Sequence, residues 1–389
     1  MLKNYHQSSL KLSDFNKSAS AILASLVLQA FIPNANAAVF SERAIVTTTV
    51  EYDSNPSLSA NNEQPVWAYT IVPQLQIDAT NELNRWYLDS ALLVHRYSNE
   101  KVLVERQDPK ISGGWTRTYE SGTYGIKANY EESTSRNLEL ASTGVFVNKN
   151  GTQKNESIEA LWQHAINARW SILNEGIYSK IKITNSGVLG SYDLSELRST
   201  LTYANTEKLS TYSQLDYLHY RPESILDNTD FIRLNVGANY QMTERFSYGV
   251  RGGLYKVSGN QSDTGWEAAV NGKYTPNDKT IYLMEVSRSL GAGGIGGFQK
   301  NDSLKLAWNY DLSDRNIMGA DYSLNMARKD NQINTNAVNY QQINLFYDRK
   351  LSNHWQARLS AAHKQIDVTN VNSQANVIGV ALKYDTLSF

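Results

Sequence analysis

The sequence predicts an all-β fold, a transmembrane antiparallel β-barrel of about eighteen strands, with sixteen as the alternative. Three observations predict it. Segments of roughly 10–14 residues alternate apolar and polar side chains, a length that suits a tilted membrane strand. Many of the apolar faces end beside a turn in an aromatic residue: Tyr240, Phe246, Tyr274, Tyr282, Tyr310, Tyr347 and Trp355. That placement is the one a lipid–water interface favours. Short connections, at Thr243-Glu244, Pro276 to Asp278, Ser313-Asp314 and Ser352-Asn353, alternate with longer polar ones over 54–64, 99–109, 134–155, 222–228, 291–301 and 329–335. A soluble sandwich has no reason for that asymmetry, whereas membrane barrels have short periplasmic turns and longer external loops.

Taken in order, the strands span 43–52, 66–78, 85–97, 110–121, 122–134, 156–167, 169–182, 195–205, 209–221, 229–242, 245–257, 263–276, 279–290, 301–312, 315–329, 336–350, 354–367 and 374–386. The clearest is the tenth. Ile232, Leu234, Val236, Ala238, Tyr240 and Met242 share one face, and Arg233, Asn235, Gly237, Asn239 and Gln241 share the other. The same period of two sets Leu304, Leu306, Trp308 and Tyr310 against Lys305, Ala307, Asn309 and Asp311, and Trp67, Tyr69, Ile71, Leu75 and Ile77 against Thr70, Gln74, Gln76 and Asp78. Strands four to six are the least distinct. Asn137 to Asn148 itself reads as strand, and Asn150-Gly151 would then close a small hairpin within an external loop. An even count puts both termini on the periplasmic side.

Residues 1–37 read as an export signal rather than structure. Lys3, Lys11 and Lys17 precede an apolar run from Ala19 to Ile32, and Ala35 and Ala37 supply a small-residue cleavage site ahead of Ala38. Residues 38–389 then form a single barrel. No later apolar run reaches the ~18 residues of a spanning helix. Export and the absence of cysteine fit the bacterial periplasm or outer membrane and exclude disulfides, thiolate metal sites and cysteine nucleophiles. A net charge of −1 leaves no footprint for nucleic acid.

Chemistry-bearing motifs are few. No two of the six histidines have metal-ligand spacing, so neither metal nor cofactor is expected. His164 and His363 share parity with lipid-facing neighbours, and His95 faces inward. Asp89 and Ser98 lie near His95 in sequence, but Ser98 has the opposite parity, which argues against a hydrolase and for a chain that is not an enzyme. Gly291 to Gly296 matches a dinucleotide-binding pattern by letter but opens no helix, and it reads as a flexible external loop.

The inward face carries both signs of charge. Channel-lining candidates are Arg233, Arg251, Lys305 and Arg358, with Glu267, Glu285 and Asp321 as partners, because each lies opposite an apolar residue on a clearly alternating strand. An Arg or Lys facing lipid at mid-depth costs about 2–4 kcal/mol, so this many charges must point to water. Tyr87, Tyr255 and Phe346 also point inward by parity. Inward aromatics among charges suit sugar rings, or pack behind an inserted segment.

The first mature strand ends in Tyr52-Asp53-Ser54-Asn55-Pro56. With a signal before it and a long meander after it, the chain resembles the outer-membrane β-barrel porins associated with exopolysaccharide export. The resemblance implies a conduit for a secreted polysaccharide, with periplasmic export proteins as partners. The mixed lumen departs from the basic lumens of conduits for acidic polymers and leaves a neutral or weakly charged polymer open. Asp53 and Asn55 are expected to hydrogen-bond their own backbone into the turn before Pro56. The alternative function is a surface or structural protein anchored by its barrel. Phe389, closing an amphipathic last strand, resembles the signal read by the barrel-assembly machinery. Ile378, Val380, Leu382 and Tyr384 are even-numbered while Leu387 and Phe389 are odd, which implies a bulge near Asp385 or a short tail.

Overall fold

A computed structural model describes residues 38–387, apart from 136–138, 141–142, 144–150, 186, 188, 224–227, 260–261, 295, 329–337 and 369–370. The expected signal over 1–37 and Phe389 lie outside the described residues.

Eighteen strands form one closed antiparallel sheet: β1 (Val39–Asp53), β2 (Val66–Thr80), β3 (Asn84–Tyr97), β4 (Arg106–Tyr119), β5 (Gly122–Thr134), β6 (Thr152–Ala165), β7 (Trp170–Thr184), β8 (Tyr192–Ala204), β9 (Leu209–Pro222), β10 (Thr229–Thr243), β11 (Phe246–Gly259), β12 (Asp263–Asn277), β13 (Thr280–Gly293), β14 (Gly297–Ser313), β15 (Asn316–Ala327), β16 (Val338–Lys350), β17 (Trp355–Val368) and β18 (Val371–Asp385). Each strand pairs with its neighbours in sequence, and β18 closes on β1 through the ladder from Ile45↔Asp385 to Asp53↔Val377. Closure removes every sheet edge, as a structure without water around it requires.

The period of two fixes the two surfaces. Leu254, Leu197, Ile378 and Val236 point outward and are 60–70% exposed, an apolar band that water would not tolerate and lipid would. One hydrogen-bonded row shows the tilt. It begins among Tyr274, Tyr282 and Trp308 at the turn end, passes Ala320, Leu345, Ala361 and Ile378, and emerges at Tyr52 and Trp67 at the opposite rim. Its two ends are aromatic and its middle is aliphatic, as in a band bounded by two interfaces. His164 also sits at an interface, stacked beside Trp162 and Tyr119.

Seven of the eight tight turns share one device. Asn81, Asn167, Thr206, Thr243, Asn277, Ser313 and Ser352 each accept, on the side-chain oxygen, a backbone N–H two or three residues on. All lie at the end where β1 begins and β18 finishes.

At the other end several strands start earlier than the sequence reading has them, β6 at Thr152 among them, and three stretches stand out. Residues 291–301 are not a loop: β13 runs to Gly293, β14 starts at Gly297, and Gly291↔Gln299 and Ala292↔Phe298 still pair. Beyond Ala268↔Arg288 this hairpin no longer pairs with β12 and folds inward across the mouth. Residues 99–109 include the start of β4, at Arg106. Of the strand-like stretch 137–148, only Glu139, Leu140 and Thr143 are described. They are helical, with the Thr143 hydroxyl donating to the Glu139 carbonyl at 2.9 Å. The proposed turn at Asn150 falls outside the described residues.

At the C-terminus the strand ends at Asp385, so the phase change is a tail. Thr386 N–H donates to the Ala44 carbonyl at 3.0 Å, and the Thr386 hydroxyl accepts the Ala44 N–H at 2.9 Å. Arg43 grips the fully buried Asp385 carboxylate through Nε at 2.9 Å and Nη2 at 2.5 Å, which ties the closing strands together.

Candidate functional site

The lumen is the candidate site, and four segments shape its mouth. The first follows β1. Asp53 Oδ1 accepts Asn55 N–H at 3.0 Å, the expected turn. Asn55 is buried completely. Its amide donates to the Ser59 carbonyl, the Ser373 hydroxyl and the Gln374 carbonyl at 3.0–3.1 Å, and its oxygen accepts Ser59 N–H at 3.1 Å. One side chain thus pins segment 54–65 onto β18, and Leu58 packs with Ala327, Val338, Tyr340, Ile366 and Ala375.

The other three meet over β7–β11. Phe298, on the inward-folded hairpin, stacks on Phe231 at 5.4 Å and tilts against Tyr220 at 5.8 Å. Ile181, Ile183, Leu189, Tyr192, Tyr255 and Val257 complete this apolar cluster. The hairpin tip is locked by polar bonds. Tyr220 OH donates to the Gly293 carbonyl (3.1 Å), Gly190 N–H donates to the Gly294 carbonyl (2.7 Å), and Gly294 N–H donates to Glu139 Oε2 (3.1 Å). Glycine is required for this approach. A Cβ on Gly293 would fall on the Glu139 carboxylate and the Thr143 methyl, and one on Gly294 would lie 2.6 Å from Ile183 Cδ1. The glycine run therefore serves contact rather than phosphate binding, and it is not the flexible loop that its composition suggested.

All seven sequence-chosen residues face inward by register, but the structure sorts them into different roles. Arg233 donates from Nε to Asp216 at 2.6 Å and from Nη1 to Glu267 at 3.0 Å. Its side chain is 13% exposed, Asp216 1% and Glu267 0%. Glu267 also accepts Leu290 N–H at 2.8 Å, so the folded hairpin caps the pair. Arg233 and Glu267 are therefore paired within the wall and turn little surface to the lumen. Arg198 extends this strut to Asp216, Glu196 and Glu175. Lys305 and Glu285 face each other at 3.7 Å and are about half-exposed. Arg358 is bound not to Asp321 but to Asp348, at 2.6 Å, and lies 4.6 Å above the Phe346 ring. Asp321 accepts from Asn344 Nδ2 at 3.3 Å. Arg251 makes no ion pair among the described residues, and its Nε is buried without an acceptor. Of the four cations it alone is left without a carboxylate.

Sequence reasoning missed the partners that come from distant chain. Lys364 holds Asp53 at 3.2 Å, and Arg43 holds Asp385. Parity marks all four as inward, but only the β18–β1 closure brings them together. Between these strands and the inserted segments lies a cavity of about 780 Å³, lined by Thr47, Glu51, Asp53, Tyr97, Arg358 and Lys364 among others. Its charged side chains match: Glu51, Asp53 and Asp348 against Arg358, Lys364 and Lys383. The ion-paired cluster across β7 to β12 differs, with Arg198 and Arg233 against Glu175, Glu196, Asp216 and Glu267. Tyr255 is part of the apolar cluster and Tyr87 lies against Gly114, so both pack the wall. His95 bonds the Thr70 hydroxyl at 3.0 Å, whereas Ser98 Oγ accepts Trp67 N–H and turns away from it. Among the described residues no group of three His, Cys, Asp or Glu side chains is placed to hold a metal.

A closed eighteen-strand barrel with an apolar outer band, two aromatic rims and a charged lumen defines a transmembrane β-barrel of the outer-membrane porin architecture. No family model matches the chain, and no curated protein does. Solved structures do. The OpdK (OccK1) protein of Pseudomonas aeruginosa is similar with a TM-score of 0.51 at 10% identity, over 90% of this chain and 99% of that one. OccAB2 of Acinetobacter baumannii is similar with a TM-score of 0.51 at 9% identity, over 89% and 97%. OpdK has also been solved with vanillate, and that structure has the same TM-score of 0.51. At such identity the likeness carries the fold, which is the barrel of bacterial outer-membrane porins.

Proposed function

We propose that the chain is a passive outer-membrane channel for small hydrophilic solutes, narrowed at its outer mouth by its own folded-in segments. The supporting observation is the polar, charge-matched cavity of about 780 Å³ inside a barrel too wide for side chains to fill. Matched charges favour neutral or zwitterionic solutes over strongly charged ones. Residues 1–37 are removed on export in this reading, and β18 presents the chain to the barrel-assembly machinery. N-terminal sequencing of the mature barrel, expected to begin at Ala38, checks the first point.

Conduction of a secreted polysaccharide, with periplasmic export proteins, is the finer form of this reading. Its support is the balanced lumen and the aromatic Tyr97 and Tyr340 on the cavity wall. The Tyr52–Pro56 motif adds nothing specific to transport, because Asn55 is occupied in pinning segment 54–65. An extended polymer also needs that segment and the 289–300 hairpin to move aside.

Planar-bilayer conductance tests the channel. Steady single-channel steps, with liposome swelling that falls off between mono- and oligosaccharides, are expected. A barrel that folds yet carries no current and passes no sugar is only an anchor, and the proposal fails.

A further inference from the structure

The outward face at the loop end carries a charged cluster that neither the lumen nor the sheet requires. Arg288 donates to Asp302 from Nε (2.6 Å) and Nη2 (3.0 Å). Arg328 donates to the same carboxylate from Nε (2.9 Å) and Nη2 (2.6 Å). Two guanidiniums thus share one carboxylate and leave a net positive charge. Among the described residues Nη1 of either arginine makes no hydrogen bond, and the Arg328 side chain is 53% exposed. The Arg288 guanidinium lies 4.1 Å above the ring of Trp266, which is itself 52% exposed. On the same face, one row above Leu254↔Trp266, Lys256 is exposed.

The cluster lies at headgroup depth. Ala268, the partner of Arg288, is six residues along β12 from the rim residue Tyr274, about 20 Å of strand or ~15 Å of height at the usual tilt. Each step to the next strand climbs roughly 3 Å more, from a strand spacing of ~4.8 Å at that tilt. Arg288, Asp302 and Arg328 therefore stand near the outer boundary of an apolar band ~25 Å tall. Backbone pairing between β12 and β13 also ends there, at Ala268↔Arg288. An excess of guanidinium facing this layer favours an anion as its partner, and guanidinium forks match phosphate.

We propose that Arg288, Arg328 and Trp266 form a docking site for the phosphorylated headgroup of an anionic lipid in the outer leaflet. The arginines bind phosphate oxygens, Asp302 holds both guanidiniums in place, and Trp266 packs the glycerol or sugar behind the phosphate.

The test titrates the folded barrel, in zwitterionic detergent, with a diphosphorylated glycolipid, with the same glycolipid dephosphorylated, and with inorganic phosphate alone. Loss of two basic groups near an anionic surface is expected to weaken glycolipid binding about thirtyfold in R288Q/R328Q. Dephosphorylation should weaken binding to the native protein likewise. If the double variant does not reach its heat-modifiable folded form, R328Q alone, at the more exposed arginine, takes its place with a several-fold loss. Unchanged affinity in the variant, or on removing the phosphates, overturns the proposal. Inorganic phosphate binding as tightly as the glycolipid overturns the lipid assignment. Bilayer conductance of R288Q/R328Q is expected to match the native barrel, so failure of this site and failure of the channel are read separately.

Discussion

The Arg233 strut gives the sharpest test of what the inward charges do. In Arg233→Gln, Asp216 keeps Arg198 and Gln214 as donors, but Glu267 keeps, among the described residues, only Leu290 N–H. With Glu267 fully buried, the variant leaves an uncompensated carboxylate inside the wall. Breaking a buried pair by removing one partner costs about 3–5 kcal/mol, and the surviving bonds at Asp216 place the expectation near the lower figure. Arg233→Gln/Glu267→Gln removes both charges and retains an oxygen for Leu290 N–H, so it should recover most of that loss. Urea unfolding of the barrel in lipid vesicles, followed by tryptophan fluorescence, reads both. A single variant less than ~1 kcal/mol below the native protein, or a double variant no better than the single, refutes the strut.

Other expectations separate the remaining roles. Arg251→Gln removes a lumen cation that makes no ion pair among the described residues, so reversal potentials should move toward cations while stability stays within about 0.5 kcal/mol. An unmoved reversal potential denies it a part in selectivity. Gly294→Val drives a side chain into Ile183 and Leu189, and such overpacking of about 1–3 kcal/mol should release the hairpin. Conductance should rise and the 289–300 segment become protease-sensitive with the barrel intact; an unchanged conductance means that the hairpin does not narrow the path. Asp385→Asn weakens the charged bonds to Arg43 at the closing strands, a loss of about 2 kcal/mol. It is read as a lower temperature for the heat-modifiable shift on a gel.

Most of the barrel was legible in the sequence because lipid outside and water inside impose period two on every strand. Ile232 to Gln241 alternates outward and inward as read for that reason. What was not legible depends on distance through space. Arg358 lies nearer the positions of Asp321 and Asp348 in sequence than many other charges, but only the β16–β17 register selects Asp348. Gly291 to Asn301 has the composition of a loop, and its hairpin is visible only once Tyr220, Glu139 and Ile183 are brought to it. Asn55 could be seen to build its own turn. Its bonds to Ser373 and Gln374, more than 300 residues away, could not. The helical Glu139 and Thr143 break the alternation because they belong to neither face of the wall.

The contact between Arg43 and Asp385 joins groups 342 residues apart, and this sets a clock on assembly. Neighbouring strands meet through short turns and can zip as each hairpin emerges, whereas β1 must wait for the last strand before its second edge is satisfied. Closing a loop of this size is slow rather than greatly unfavourable, since its entropy grows only with the logarithm of length. Through that interval β1 and β18 each present an open row of backbone donors and acceptors, the state most exposed to misassociation. A chain truncated before β18 should therefore accumulate as an open sheet and aggregate, and no smaller closed barrel should form in its place.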